Sequence, residues 1–524
     1  MIFSQLPFDN QLVIQLPADQ ESGNFSRQVE NAAYSFVNPQ KTQQAAVVSI
    51  NDQLALQFGF SQADIDHEKI AAVLTGNILL AGMQPYAMNY GGHQFGHWAG
   101  QLGDGRAINL GQLNTPDDGL QTLQLKGAGQ TPYSRNADGL AVLRSSVREY
   151  LCSEAMFHLG IATTRALSLC LTGDRVVRDM FYDGHPKEEL GAVVCRVSPS
   201  FLRFGSFQLP AVRGDNALLK QLVDFSINQN FPHLGAPSKE VYIAWLKEIS
   251  EKTCQLMVDW MRVGFVHGVM NTDNMSIISE TIDYGPYGWI DAFDLNWTPN
   301  TTDAQGKRYC FGAQAEIAQW NLFQLANALY PLIEDAEPLN KILQDYATLY
   351  EQLWQEMMQA KLGLDTLHAE SDAKLFMQLE KLLSEQEVDM TIFYRLLATM
   401  PEHESQWQEH FSASFYQFPH LESDYLTGFI NWLTAYQQRL NLNKSDAQQR
   451  KKRMNAVNPK FVLRNYLAQQ AIEKAESGDY SMIEQLLQVL QKPYDEQVEF
   501  EHFANKRPDW AKDKAGCSML SCSS

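Results

Sequence analysis

The sequence predicts an α+β protein in which a small β-rich lobe precedes a large helical lobe. Between about residues 76 and 215 glycine is dense, and strand-like runs such as GRAINLG, LQTLQLKGAG and GAVVCRVSPSFLRFG alternate with turns. From about residue 216 the texture is helical, as in EIAQWNLFQLANALYPLIE and YSMIEQLLQVLQ. We therefore divide the chain into an N-terminal extension (1–75), a β-rich N-lobe (76–215), an extended helical C-lobe (216–505) and a flexible, cysteine-containing tail (506–524).

Composition excludes several classes of function. The 524 residues carry 41 basic and 61 acidic side chains, a net charge of −20, which disfavours nucleic acid and anionic membranes as partners. No apolar run reaches about 18 residues, and the first residues lack the pattern of a secretion signal. Seven cysteines without a CxxC pair are typical of a reducing compartment. We expect a cytoplasmic monomer.

One helix is predicted inside the β-rich part, from about Arg144 to Leu159. Val147, Leu151, Ala155 and Leu159 recur every four residues and form one apolar stripe. This helix follows the strand-like run that ends at Lys126.

The stretch HGVMNTDNM in the helical part resembles a kinase catalytic loop. Kinase loops have an Asp that accepts a proton and an Asn, five residues later, that holds a metal ion. Here His267, Gly268 and Asn274 are in register, but Val269 occupies the position of the Asp. Nine residues after Asn274, Asp283 begins an Asp-Tyr-Gly sequence where kinases have the metal-binding Asp of Asp-Phe-Gly.

The β-rich part has matching features in kinase order. GQLGDGRAINLG places glycines, whose N–H groups can approach phosphates closely, before a strand. Lys126 ends the next strand, where kinases keep a Lys that grips phosphates and pairs with a Glu on the following helix. Glu149 and Glu154 are the candidates, and Glu149 is preferred because it lies about 200° around the helix from the apolar Val147. Together these features predict a protein-kinase-like fold.

Longer motifs resemble one family in particular. GGHQFGHWAGQLGDGRAINLG, LQLKGAGQTPYSRNADGLAVLRSSVREYL, HGVMNTDNMSI, DYGPYG, NPKFVLRNYLAQQAIEKAESGDYS and the ending CSS are similar to the selenoprotein O (YdiU) family, from about residue 76 to the end. The resemblance implies a pseudokinase fold that transfers AMP from ATP to Ser, Thr or Tyr hydroxyls of protein substrates, with Mg²⁺ or Mn²⁺. It also implies that the nucleotide lies reversed relative to ordinary kinases.

The family's functional residues are carried over by matching motif. Asp273 is implied as the proton acceptor, and Asn274 and Asp283 as metal ligands. The kinase layout adds Lys126 and Glu149 as a catalytic ion pair. The residues implied to contact the nucleotide are Gly103, Gly105, Arg106, Lys126, Asp138, Gly139, Arg196, Arg203 and Asp283.

Reversal of the nucleotide explains why a base is absent at position 269. The α-phosphorus then occupies the transfer point, and pyrophosphate needs cations deeper in the small lobe, which Lys126, Arg196 and Arg203 can supply. Asp273, beside a metal ligand, is the acidic side chain available in the loop. The metal ligands remain necessary, whereas an Asp at position 269 does not.

The tail KDKAGCSMLSCSS carries a further expectation from the resemblance. Cys522 lies third from the end, where animal members of the family have selenocysteine, and the family's terminal Cys is thought to pair with one in the segment after the metal-binding Asp. That segment here, DAFDLNWTPNTTD, contains no Cys; the nearest is Cys310, and Cys517 is an alternative partner. We expect a regulatory disulfide between Cys522 and Cys310.

Three alternatives stay open at this stage: an atypical kinase, a non-catalytic nucleotide-binding scaffold, and transfer of UMP with Mn²⁺. A γ-phosphate label on the acceptor would favour a kinase. Retention of Lys126, Asn274 and Asp283 together disfavours a scaffold, because a scaffold does not require a metal site.

Overall fold

The computed structural model describes residues 6–115 and 118–521. It is a mixed protein with an antiparallel sheet and many helices. Its strands are β1 (Tyr34–Phe36), β2 (Ala46–Ile50), β3 (Tyr86–Met88), β4 (Gly91–Gln94), β5 (His97–Gln101), β6 (Ala107–Thr115), β7 (Gly119–Lys126), β8 (Ala141–Val142), β9 (Arg165–Arg178), β10 (Lys187–Ser198), β11 (Phe265–Val266) and β12 (Gly288–Trp289).

The main sheet has the spatial order β1-β3-β6-β7-β10-β9-β2, and β8 also pairs with β10. All of its strand pairs are antiparallel. The central strands β7 and β10 are buried along most of their length, although they carry polar side chains such as Gln124, Lys126 and Arg196. The three strand-like runs predicted from the sequence are confirmed as β6, β7 and β10.

The first 75 residues belong to this sheet rather than forming a separate extension. Strand β1 pairs with β3 at one edge, and β2 pairs with β9 at the other. Apolar residues from this segment, among them Leu54, Phe58 and Leu74, pack with Leu110 and Leu125 on the outer face of the sheet. A boundary at residue 75 would leave that face exposed, so the N-lobe begins well before residue 76.

Short helices of the first 75 residues cover the outer face of the sheet, and the longer helices pack on its inner face and form most of the second half of the chain. They are α1 (Gln11–Gln15), α2 (Asp52–Gln57), α3 (Gln62–Ile65), α4 (Ile70–Leu74), α5 (Leu143–His158), α6 (Phe204–Arg213), α7 (Asn216–Asn230), α8 (Lys239–Val263), α9 (Gln314–Ile333), α10 (Ala336–Lys361), α11 (Ala369–Glu385), α12 (Met390–Leu397), α13 (Trp407–Ser412), α14 (Ser423–Leu440), α15 (Ala447–Val457), α16 (Asn465–Glu476) and α17 (Ser481–Leu490). Among the residues described, no helix combines the length and apolar character needed to cross a membrane.

Helix α5 confirms the helix predicted inside the β-rich part, within one residue at each end. It packs against β9 and β10 on one side and against α16 and α17 on the other. As a result Glu149, predicted to face a cleft from the polar side of the helix, is as buried as Val147. The environment of Glu149 is nevertheless polar, because its carboxylate contacts Lys126 on β7 and Arg196 on β10.

The described part of the C-terminal segment, residues 506–521, is packed rather than flexible. Cys517 is 1% exposed and Leu520 is fully buried. Leu520 N donates to Pro299 O at 2.9 Å, and Thr301 N donates to Leu520 O at 2.8 Å. Ser521 Oγ donates to the carbonyl of Met180, in the turn between β9 and β10. The prediction of a flexible tail is therefore wrong for these residues, because main-chain hydrogen bonds and the buried Leu520 attach them to the rest of the protein.

Candidate functional site

A cleft of about 740 Å³ opens between the inner face of the sheet and the loops that follow α8. It brings together most of the residues that the sequence assigned to nucleotide and metal. They are Gly103, Gly105, Arg106, Lys126, Asp138, Gly139, Arg196, Arg203, Asp273, Asn274 and Asp283.

Sheet register sets the cations in the deep part of this cleft. Arg196 lies opposite Gln124 on the neighbouring strand, and Lys126 is two residues further along, so all three side chains point to the same face. Lys126 Nζ lies 2.7 Å from Glu149 Oε2, and Arg196 Nη1 lies 3.1 Å from Glu149 Oε1. The other candidate partner, Glu154, instead pairs with Arg165 at 2.7 Å.

Asp283 is the centre of the ion-pair cluster. Its Oδ1 lies 2.5 Å from Arg196 Nη1 and 4.0 Å from Lys126 Nζ, and its Oδ2 accepts a hydrogen bond from Arg203. Burial would raise the pKa of this carboxyl, but Arg203, Arg196 and Lys126 hold the pKa well below its usual range. Its backbone has φ +53°, a left-handed conformation that costs about 1–3 kcal/mol in a non-glycine residue. The surrounding contacts therefore fix an anion in a strained position.

Asp104 is a second buried carboxylate that sequence reasoning missed. It is 2% exposed, its Oδ2 accepts from Met88 N at 3.1 Å, and its Oδ1 lies 3.7 Å from Arg203 Nη2. Burial raises its pKa, opposed by the charge of Arg203. The signal in the sequence was an acidic residue between Gly103 and Gly105, which is too common in turns to stand out.

Residues 267–275, predicted from the sequence to be the catalytic loop, adopt a compact arrangement. His267 is buried and stacked on Trp260 with ring centres 5.5 Å apart, and its Nε2 bonds to Ile282 O at 2.8 Å. Burial lowers the pKa of His267, so this side chain acts as a neutral structural support. Asn274 Nδ2 donates to Val269 O at 2.8 Å, so the group that Asn274 can offer to a metal is its amide oxygen.

Asp273 lies between the β4–β5 hairpin and the start of α6. Its Oδ2 accepts from Gln94 Nε2 at 3.2 Å, and its main-chain carbonyl accepts from Arg203 Nη1 at 2.8 Å. Its Oδ1 is buried and has no hydrogen-bond partner within residues 6–115 and 118–521. Burial raises the pKa of this carboxyl to about 6, against the lowering effect of the Gln94 hydrogen bond.

The glycine-rich turn forms one wall of the cleft. Gly103 has φ +71°, and a Cβ there would lie 2.3 Å from the ring of Tyr133, so no larger residue fits. Gly105 is also closely packed, with an added Cβ 3.1 Å from Tyr133 O. Arg106 is exposed at the rim. Burial lowers the pKa of Lys126, and the charges of Arg196 and then Arg106 lower it further, against the raising effect of Glu149.

The outer part of the cleft is formed by the turn at Asp138 and Gly139 and by the end of β9. Arg178 clasps Asp138 with two hydrogen bonds of 2.7 Å. Val177 and Tyr182 expose 57% and 64% of their surface nearby and also line the cleft. The two ends of the cleft thus differ: the deep end is buried and holds three cations paired with carboxylates, and the outer end is open and partly apolar.

The two predicted metal ligands, Asn274 and Asp283, are compatible with a cation delivered together with a nucleotide. Within the described ranges no three His, Cys, Asp or Glu side chains gather into a metal site. Asn274 and Asp283 both line the cleft, however, and Mg²⁺ is commonly held by one or two protein groups together with phosphates and waters. An amide oxygen and one carboxylate are suitable ligands for such a site.

None of the six cysteines among the described residues lines this cleft. Cys310 is 7% exposed, and burial raises the pKa of its thiol. Its proposed partner, Cys522, lies outside the described residues. The segment before Cys522 pairs with Asn300, at the start of the loop that leads to Cys310.

A buried cluster of cations beside two side chains suited to a metal, at the end of an open cleft, is the arrangement expected of an enzyme that transfers nucleotide groups. Comparisons with known proteins specify the family. The model of the family described as protein adenylyltransferase SelO matches residues 22–491. Curated proteins named protein nucleotidyltransferase YdiU are 54% identical in Aromatoleum aromaticum, 53% in Tolumonas auensis and 50% in Flavobacterium johnsoniae, each over 99% of both chains. The chain belongs to the SelO/YdiU family.

Proposed function

We propose that this protein transfers AMP from ATP to Ser, Thr or Tyr hydroxyls of other proteins and releases pyrophosphate. Family membership supports the nucleotidyl transfer, and the structure adds one observation that favours AMP transfer over phosphate transfer. Lys126, Arg196 and Arg203 are concentrated at the buried end of the cleft, while Val269 occupies the position of the kinase base.

Each group then has a defined part in the reaction. Arg196, Arg203 and Lys126 bind the two outer phosphates, which carry most of the charge of ATP and leave as pyrophosphate. Asp273 accepts the proton of the attacking hydroxyl as that oxygen bonds to the α-phosphorus. A Mg²⁺ or Mn²⁺ ion held by Asn274 and Asp283 would neutralise charge on the phosphates.

The remaining contacts orient the donor. Gly103, Gly105 and Arg106 border the phosphates. Asp138 and Gly139 border the outer end of the cleft, near the adenine of ATP. In this proposal the sheet and the helical half correspond to the two lobes of a kinase-like fold, with the nucleotide reversed between them. We further propose a cytoplasmic location and control by a disulfide joining Cys522 to Cys310.

Intact-mass spectrometry of candidate acceptor proteins tests the proposal. After incubation with ATP and Mg²⁺ or Mn²⁺, an acceptor should gain about 329 Da for AMP, whereas phosphate adds about 80 Da. A parallel incubation with UTP and Mn²⁺ tests the UMP alternative, which a gain of about 306 Da would mark. Asp273→Asn is the matched control, and the gain in acceptor mass should nearly disappear with it. Gain of phosphate alone would contradict the proposal.

A further inference from the structure

The β4–β5 hairpin lies directly on the catalytic loop, although about 180 residues separate them in the chain. His93 N donates to Thr272 Oγ1 at 2.7 Å, and Phe95 N donates to Asn271 Oδ1 at 3.2 Å. Between these two bonds, Gln94 reaches the next residue of the loop. Three consecutive hairpin residues therefore hold three consecutive residues of the loop.

The bond from Gln94 makes the two oxygens of Asp273 unequal. Gln94 Nε2 donates to Oδ2 at 3.2 Å, while Oδ1 is buried without a hydrogen-bond partner in the described part of the chain. Gly92 provides the space for Oδ1: its φ is not in the left-handed region, but a Cβ there would lie 2.5 Å from this oxygen. Both Gln94 and Asp273 line the cleft.

We propose that Gln94 is a positioning residue: it holds Oδ2 of Asp273 while Oδ1 packs against Gly92, and so fixes the orientation in which the carboxylate meets the acceptor hydroxyl. This inference rests on the proposed function, because it assigns a task to Asp273 in that reaction. Rotation of a carboxylate about its last bond is only weakly restricted, so an external donor is needed to fix it. An amide suits the task because it donates a hydrogen bond without placing a positive charge beside the base.

The expected consequence is a selective loss of turnover. A misplacement of about 1 Å in a reacting group can cost about 10²-fold in rate. Gln94→Ala should therefore lower kcat by about 10- to 100-fold. KM for ATP and the affinity for a fluorescent ATP analogue should change by less than about twofold, since no phosphate-binding cation touches Gln94.

A double-mutant cycle separates positioning from a general structural effect. If Gln94 acts through the carboxylate of Asp273, Gln94→Ala should cost less than about twofold when Asp273 is already Asn. His97→Ala, at the exposed tip of the same hairpin, is the control and should retain wild-type kcat. Equal losses in the two backgrounds, or loss of nucleotide affinity with unchanged kcat, would overturn the proposal.

Two further variants cover the case in which Gln94→Ala unfolds, as shown by its melting temperature. Gln94→Glu keeps the shape but removes the donor, and Gly92→Ala places a methyl group against Oδ1; each should lower kcat and leave nucleotide affinity intact. Wild-type kcat in both would overturn the proposal. The wild-type protein is assayed first: if it transfers no nucleotide, the proposed function fails, whereas an active wild type with an equally active Gln94→Ala refutes only the role of Gln94.

Discussion

Replacing Asp283 by Ala should separate two proposed contributions of this residue: stabilising the buried cations, and binding the metal that accompanies ATP. In the structure three cations, Lys126, Arg196 and Arg203, are balanced by Glu149, Asp104 and Asp283. Removing Asp283 leaves an excess positive charge in a buried site. Loss of one partner from a buried pair typically costs about 3–5 kcal/mol, and because the Asp283 side chain is 21% exposed we expect about 3 kcal/mol.

The same substitution frees Arg196 and Arg203 for the phosphates that we propose they bind, and it removes the proposed carboxylate ligand of the metal. ATP affinity without metal should therefore stay the same or rise, while its increase on adding Mg²⁺ should vanish and transfer should be abolished. Urea denaturation measures the stability, and titration with a fluorescent ATP analogue, with and without Mg²⁺, measures the affinities.

Asp283→Asn is the matched control, because it keeps the shape and hydrogen-bonding oxygen but removes the charge. It should recover part of the stability but not the activity. An Asp283→Ala protein that transfers AMP at the wild-type rate, or that still gains ATP affinity from Mg²⁺, would refute the assignment of Asp283 as the metal ligand.

The remaining predictions concern the catalytic loop, a buried carboxyl and the tail. Val269→Asp should not create a kinase, because the reversed nucleotide presents the wrong phosphorus; phosphate on an acceptor, seen by mass, would show the orientation to be wrong. Burial raises the pKa of Glu280, bonded to Ser198 Oγ, to about 8, so the folded state binds an extra proton and loses stability between about pH 4.5 and 8. Glu280→Gln should therefore unfold with a free energy about 1–2 kcal/mol higher than wild type at pH 8.5, a value reduced because solvent screens this partly exposed group. At pH 4 the two proteins should be equally stable. A gain in stability that is independent of pH, measured by urea denaturation, would contradict this. Reductant should raise activity by opening a Cys522–Cys310 disulfide. Non-reducing peptide mapping that finds Cys522 free, or joined only to another cysteine, would exclude this disulfide.

Local patterns were sufficient to predict the elements that carry the site. The apolar run ending at Lys126 and the four-residue repeat of α5 gave the strand and the helix, and the preference for Glu149 over Glu154 agrees with the ion pair seen. The polar side of α5 does not face solvent, however, because β9 and β10 cover one side of the helix and α16 and α17, more than 300 residues further along the chain, cover the other. Packing between such distant segments is not readable from the helix itself.

The contacts that the sequence did not reveal all join distant segments. Asp104 and Gln94 are ordinary residues of a turn and a hairpin until sheet register and chain topology place them against Arg203 and Asp273. The packing of the C-terminal segment depends likewise on Leu520 meeting the loop at Asn300. Long-range pairing of this kind requires the complete fold.

The orientation of ATP is the central claim, and parallel reactions with α-labelled and γ-labelled ATP test it most directly. With a reversed nucleotide, label from the α-position should become bound to the acceptor protein, and label from the γ-position should be recovered entirely as pyrophosphate. Label from γ-labelled ATP on the acceptor, with α-label released as ADP, would contradict the account.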